Sequence, residues 1–149
     1  MEYARPDLPY EATEAVWPST HPDIYRHPGS LHGGNVRSKK TYHIYSLGII
    51  LAEIACWQSI QQLLMMPVDQ QADIFELIKV RETVMSKNYL DAVGACAGSR
   101  YREVVRKCLT GRDDLGVAPH AIETDPVVGP AIQKTFSKQV VKELTSLCI

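Results

Sequence analysis

Between Tyr42 and Trp57 the sequence YHIYSLGIILAEIACW offers only Ser46 and Glu53 as strongly polar side chains. A helix that is apolar all round has no face to give to water, so it belongs in the middle of a core, wrapped by other helices. This single run therefore dictates much of the fold. It also sets a problem, because the Glu53 carboxylate would cost several kcal/mol if buried without a partner. A neighbouring Arg, Lys or backbone amide is the expected solution.

The wrapping helices can be read from apolar spacing. Ile74, Leu77, Ile78 and Met85 share one face of a helix predicted from about Gln70 to Lys87, with Asp69 as its cap. Tyr101, Val104, Val105, Cys108 and Leu109 form an i, i+3, i+4, i+7, i+8 stripe, with Ser99 as N-cap, Glu103 in the first turn and Gly111 as the stop. After a loop containing Pro119 and Asp125-Pro126, Pro130 falls in the first turn of a last helix presenting Ile132, Phe136, Val140, Leu144 and Leu147. Residues 1–40 are rich in Pro, Gly, His and Ser without helical or strand periodicity and are expected to be irregular. No strand-like alternation occurs. The expected organisation is a mainly α fold: an irregular segment over 1–40, then a helical domain over 41–149.

A net charge of -1 provides no global field for nucleic acid or an anionic membrane. Neither is expected as a partner. Cys56, Cys96, Cys108 and Cys148 lack metal-site spacing and are read as reduced, mostly buried thiols. No secretory leader pattern and no N-x-S/T acceptor are present, and Glu53 interrupts the apolar run, so no membrane span is expected and the cytoplasm is the expected compartment.

Two strings then coincide with a known order: Y-R-H-P-G at Tyr25 to Gly29, including Tyr25, Arg26 and Pro28, and H-I-Y-S-L-G at His43 to Gly48, followed by I-I-L-A-E-I. Together they resemble the C-terminal lobe of a eukaryotic protein kinase, where the activation segment ends in a Y-R-A-P-E type string and the central helix opens with D-x-W-S-x-G. The variants here, with the later R-Y-R-E-V-V-R-K-C-L-T-G from Arg100 to Gly111, look most like fungal kinase-like proteins of the heterokaryon-incompatibility and prion-inhibition and propagation type. The resemblance spans essentially the whole chain. It implies that the apolar helix is the hub of a kinase C-lobe, with residues 1–40 resembling an activation segment.

The departures shape what the resemblance implies. His43 stands where the family has aspartate, with Tyr45 at the aromatic position and Ser46 and Gly48 retained. A neutral imidazole has one acceptor nitrogen and is a poorer acceptor of backbone hydrogen bonds than a carboxylate. Gly29 stands where a glutamate would pair with an arginine, leaving Arg112 as an ion-pair remnant without its partner. Phosphoryl transfer also needs a glycine-rich lid, a phosphate-binding lysine, a catalytic aspartate and metal-holding Asp and Asn side chains. The chain has no GxGxxG, VAIK-like, HRD or DFG string. Met1 falls where the segment after the magnesium-binding motif would open. The implied protein is thus the C-terminal part of a kinase-like domain, truncated or pseudokinase-like, without catalytic, cofactor or metal residues of its own, and expected to bind protein partners. ATP and magnesium enter only if an N-terminal half completes it as an active Ser/Thr kinase; a standalone helical adaptor is the third reading.

Several residues have a functional and a plainer reading. Glu53 matches a position that in some kinases faces substrate, yet pairing inside the protein is the commoner fate of such a carboxylate. His21, His27 and His32 share one loop but lack the tight pairs of a zinc site. His43 is most simply a first-turn residue. Arg37, Lys39 and Lys40 form a basic group suited to a phosphate or to ordinary solvation. Ser30, Ser38 and Thr41 lie in the segment resembling an activation loop, and none is singled out for modification. Trp17 and Trp57 are expected in the core or anchoring loops.

Overall fold

The structure is a computed structural model, and it describes residues 24–31, 39–66, 73–118 and 120–147. Seven α-helices appear among them: α1 Lys40–Cys56, α2 Ile60–Leu63, α3 Ile74–Met85, α4 Lys87–Ala97, α5 Ser99–Thr110, α6 Val128–Phe136 and α7 Lys142–Leu147, with a 3-10 turn at Pro28–Leu31 and a π turn at Ser137–Val141 joining α6 to α7. No strand occurs among the described residues. The mainly α class therefore stands.

Helices α1 and α5 form the spine. Gly48 is the reason they can come so close: a Cβ built there would lie 2.9 Å from the Cys108 Cβ and 3.1 Å from the Leu109 Cγ. One side of the pair builds a core from Tyr45, Ile49 and Ala52 of α1 and Val105 and Leu109 of α5, with Ile24, Ile60, Val80, Val84, Leu90 and Val93. The other side brings Ile44, Val104 and Cys108 against Leu115, Val117, Ile132 and Val140. The stripe predicted for α5 is thus split between two cores. Tyr101, half-buried, fixes the crossing further by donating its hydroxyl to the Leu51 carbonyl at 2.8 Å.

The boundaries differ from expectation in instructive ways. The helix predicted over 70–87 is two helices. Asp73 caps α3 in a capping box, accepting from the Glu76 amide while the Glu76 side chain accepts from its own. Ser86 then closes α3 and caps α4 by accepting from the Tyr89 amide at 3.3 Å. The core face of α3 is Leu77, Val80 and Val84, with Met85 packed beside it; Ile78 is exposed, so the predicted stripe shares Leu77 with the buried face but misses Val80 and Val84. Asp69 lies outside the described residues. At α5 the cap is Gly98, at φ 92, and Ser99 is already helical. Glu103 sits beyond the first turn and pairs with Arg106 at 2.7 Å, which itself reaches Asp114 at 2.9 Å. Gly111 does end α5, in a positive-φ conformation suited to glycine. Pro130 falls within the first turn of α6. Ile132 and Val140 are buried and Phe136 and Leu144 pack beside them, although the stretch is not one helix: Val140 lies within the π turn between α6 and α7.

Helix α1 is not wrapped on every side. Ile50 is 42% exposed, Ile54 55% and Trp57 93%, an i, i+4, i+7 row facing away from both cores. The expectation of a fully enclosed hub, and of Trp57 in the core or anchoring a loop, is corrected accordingly; Trp57 ends α1 at φ 51 with its indole in solvent. Trp17 lies outside the described residues. Among the described residues Cys108 is the only buried cysteine, Cys56 is partly buried and Cys96 is exposed, which departs from the expectation of mostly buried thiols. No described helix is long and apolar enough to cross a membrane.

Candidate functional site

The residues of the two motif strings meet. Ser46 donates its hydroxyl to the Tyr25 carbonyl at 2.8 Å, so the segment from Ile24 to Ser30 is laid across the first half of α1. Tyr25 then reaches along the helix and donates its own hydroxyl to the Glu53 carboxylate at 3.1 Å. Burial and the adjacent carboxylate both push the Tyr25 hydroxyl above the ordinary tyrosine range. The other Glu53 oxygen accepts the Ile60 amide at 2.7 Å, satisfying the first N–H of α2, while Ser59 caps the Gln62 amide at 3.2 Å. Glu53 is therefore satisfied by a tyrosine hydroxyl and a backbone amide, and the single carboxylate joins the motif segment, α1 and α2.

His27 occupies the middle of this junction. Its ring stacks on Tyr42 with centroids 4.4 Å apart and meets Tyr45 edge-on at 4.9 Å. Its Nδ1 accepts from the Gly29 amide at 3.0 Å, and its Nε2 lies 2.9 Å from the Arg81 guanidinium. Both partners are donors, and a neutral imidazole has one acceptor nitrogen, so the ring is the object of competition. Burial, then Arg81, then Lys39 push the His27 pKa down to about 4, and the ring is neutral at physiological pH. Arg81 also lies over the Tyr45 ring, and burial raises the Tyr45 hydroxyl to about 12. Arg26 is half-buried and Pro28 buried at the start of the 3-10 turn.

At the other end of α1 the sequence provides no local cap: Lys39 makes no side-chain hydrogen bond there. The cap comes from Glu123, buried in the loop before α6. Its Oε2 accepts the Thr41 amide at 3.1 Å and its Oε1 the Thr41 hydroxyl at 2.6 Å. Arg112 stands 3.7 Å from the same carboxylate and donates to the carbonyls of Ala118 and Ala121 at 3.0 and 2.8 Å. Arg112 thus has a carboxylate partner, which corrects the reading of it as a remnant without one. The partner is Glu123 rather than a residue at position 29.

The remaining sequence candidates are placed as follows. His43 is exposed in the first turn of α1. Lys39 lies over the Tyr42 ring at 5.2 Å, and Lys40 runs toward Gly129, so the two lysines serve different neighbours. Ser30 and Thr41 are buried and closed to a modifying enzyme in this conformation. His21, His32, Arg37, Ser38 and Cys148 lie outside the described residues. Among the described residues no three His, Cys, Asp or Glu side chains gather as metal ligands. Glu123, Arg81 and Tyr42 were not anticipated: their partners lie far off in sequence, and no spacing rule marks them.

Comparison with protein-family models, with curated proteins and with solved structures finds no match.

Proposed function

We propose that this chain is the helical C-terminal lobe of a protein-kinase-like domain, of the fungal heterokaryon-incompatibility and prion-inhibition type, and that it acts as a protein-interaction module with no catalysis of its own. The observation that carries the reading is the open row Ile50, Ile54 and Trp57 on a helix otherwise built for a core. In the family this helix is enclosed, so the row marks where the rest of a kinase-like domain would pack. Contiguous exposed apolar surface of this kind is characteristic of a docking face. The contact between the Tyr25 to Gly29 string and the His43 to Gly48 string supports the same reading, since the family resemblance rests on both.

The chain carries none of the lid, lysine, aspartate and metal-holding strings that phosphoryl transfer needs. ATP and magnesium belong to this lobe only through a partner half, and we place the protein in the cytoplasm. The test is a thermal melt of the purified chain with and without excess ATP and magnesium, because a ligand of the native state raises Tm by mass action. A cooperative melt unmoved by nucleotide is the expected result. A saturable rise in Tm would overturn the account of a lobe without a nucleotide site of its own.

A further inference from the structure

The last helical stretch carries a charge pattern that the packing does not use. Between Asp125 and Glu143 the sequence has no acidic residue, and Lys134, Lys138 and Lys142 recur at every fourth position. A turn of α-helix takes about 3.6 residues, so such a row would wind away from a straight line. Here the π turn intervenes: the Lys142 amide donates to the Ser137 carbonyl five residues back, and the wider turn takes up that drift. The three lysines line one open groove of about 590 Å³, together with Pro130, Gln133 and Ser137. All six residues are exposed, while Ile132 and Val140 are held in the core. None of the three lysines lies within ion-pair distance of a carboxylate among the described residues. Glu143, next to Lys142 in sequence, is engaged by Arg100 of α5 at 2.8 Å and does not line the groove.

We propose that this groove binds a compact, soluble molecule carrying several phosphate groups, of the inositol polyphosphate class. Three ammonium groups around one space repel one another, and a multiply charged anion relieves that repulsion where a single carboxylate would leave most of it. The groove is lined by lysine and not by arginine, so it offers mobile point charges to phosphate oxygens rather than the flat fork that matches a carboxylate. Its volume is that of a small-molecule site, whereas a protein partner needs roughly twenty to thirty residues on each side. No aromatic ring lines it, which removes the stacking platform that a nucleobase or a single-stranded nucleic acid would use. The Gln133 amide and the Ser137 hydroxyl add neutral donors and acceptors for the ester oxygens and free hydroxyls of such a ligand. The site is built from α6, the π turn and α7 alone, and shares no residue with the row of Ile50, Ile54 and Trp57.

The test is isothermal titration calorimetry of the full chain with myo-inositol hexakisphosphate in magnesium-free buffer at fixed ionic strength. One saturable site per chain is expected. Lys138→Gln, which removes the middle charge, should weaken binding about five- to tenfold, and the further changes Lys134→Gln and Lys142→Gln should abolish it, with Tm unchanged because all three side chains are exposed. Lys87→Gln, at an exposed lysine of α4, is the control and should bind like the wild type. ATP with magnesium should not displace the ligand, since the metal masks its phosphates and no ring in the groove receives its adenine, which separates this site from a nucleotide site. Absence of saturable binding, equal weakening by Lys87→Gln and Lys138→Gln, or displacement by magnesium-ATP would overturn the proposal. So would retention of the chain on vesicles bearing phosphatidylinositol bisphosphate that is lost with Lys138→Gln, because the site would then belong to a lipid headgroup.

Discussion

Replacing Gly48 by alanine sets two effects of similar size against each other. Alanine in a helix interior is favoured over glycine by about 0.5–1 kcal/mol, through backbone entropy alone. Against this, the new methyl would stand 2.9 Å from the Cys108 Cβ and 3.1 Å from the Leu109 Cγ and Cδ2, where carbon atoms prefer about 3.5–4.0 Å. The Cys108 Cβ is fixed to the backbone of α5 and cannot swing aside, so the spine of the fold must spread. Overpacking of this type costs about 1–3 kcal/mol, and the net expectation is a loss of about 1–2 kcal/mol, or a Tm lower by about 3–8 °C for a chain of this size. Gly94 is the internal control. There the nearest atom is the Arg102 Cδ at 3.1 Å, part of a long side chain that can move, so Gly94→Ala should be neutral or raise Tm slightly. Both variants are compared by thermal melts followed by circular dichroism at neutral pH, with cooperativity checked in each. A Gly48→Ala protein that melts at or above the wild type would refute the close crossing of α1 and α5.

Glu123→Gln should cost about 2–3 kcal/mol in urea unfolding, since it removes a buried charge from Arg112 and disturbs both bonds to Thr41, while Thr41→Val should cost about 1 kcal/mol; equal stability of E123Q and wild type would count against the remote cap. His27 is ordinarily half-protonated near pH 6.5 but at about 4 in the fold, so its contribution is full above pH 6.5 and is lost as pH falls toward 4, by at most about 3 kcal/mol. The difference in unfolding free energy between wild type and His27→Gln should therefore vary across that window; parallel pH profiles would remove His27 as the cause. Ile54→Asp and Trp57→Ser, on side chains already largely in solvent, should change stability by less than about 0.5 kcal/mol, and a large loss in either would mean that the row is covered.

The spine was legible because its signals are local. The continuous apolar run from Tyr42 and the five-residue stripe from Tyr101 each state their helix outright, and Gly111 ends the second as glycine does after many helices. The break at Ser86 was missed because Met85 prolongs the apolar spacing of α3, although Ser86 has the chemistry of a cap and serves as one. The π turn at Ser137–Val141 leaves no mark in a sequence whose apolar residues still fall near helical spacing. The least legible feature was the exposed side of α1. Apolar composition says that a helix can be buried all round, but whether it is depends on having enough neighbours. At the junction, the plain reading that Glu53 is satisfied inside the protein could be reached from the cost of burying it, but Tyr25 as a partner could not, since nothing in sequence connects positions 28 residues apart.

The cap that Glu123 places on α1 bears on the order in which the molecule is made. The helix on which everything else is assembled has its start defined by a residue 82 positions later. During synthesis the whole of α1 emerges long before its first turn can be fixed, and the closing of so long a loop carries an entropic cost that must be met before the contact gives any return. The first turn of the hub thus takes its cap from far along the chain, and any fragment that stops short of Glu123 carries α1 without that cap.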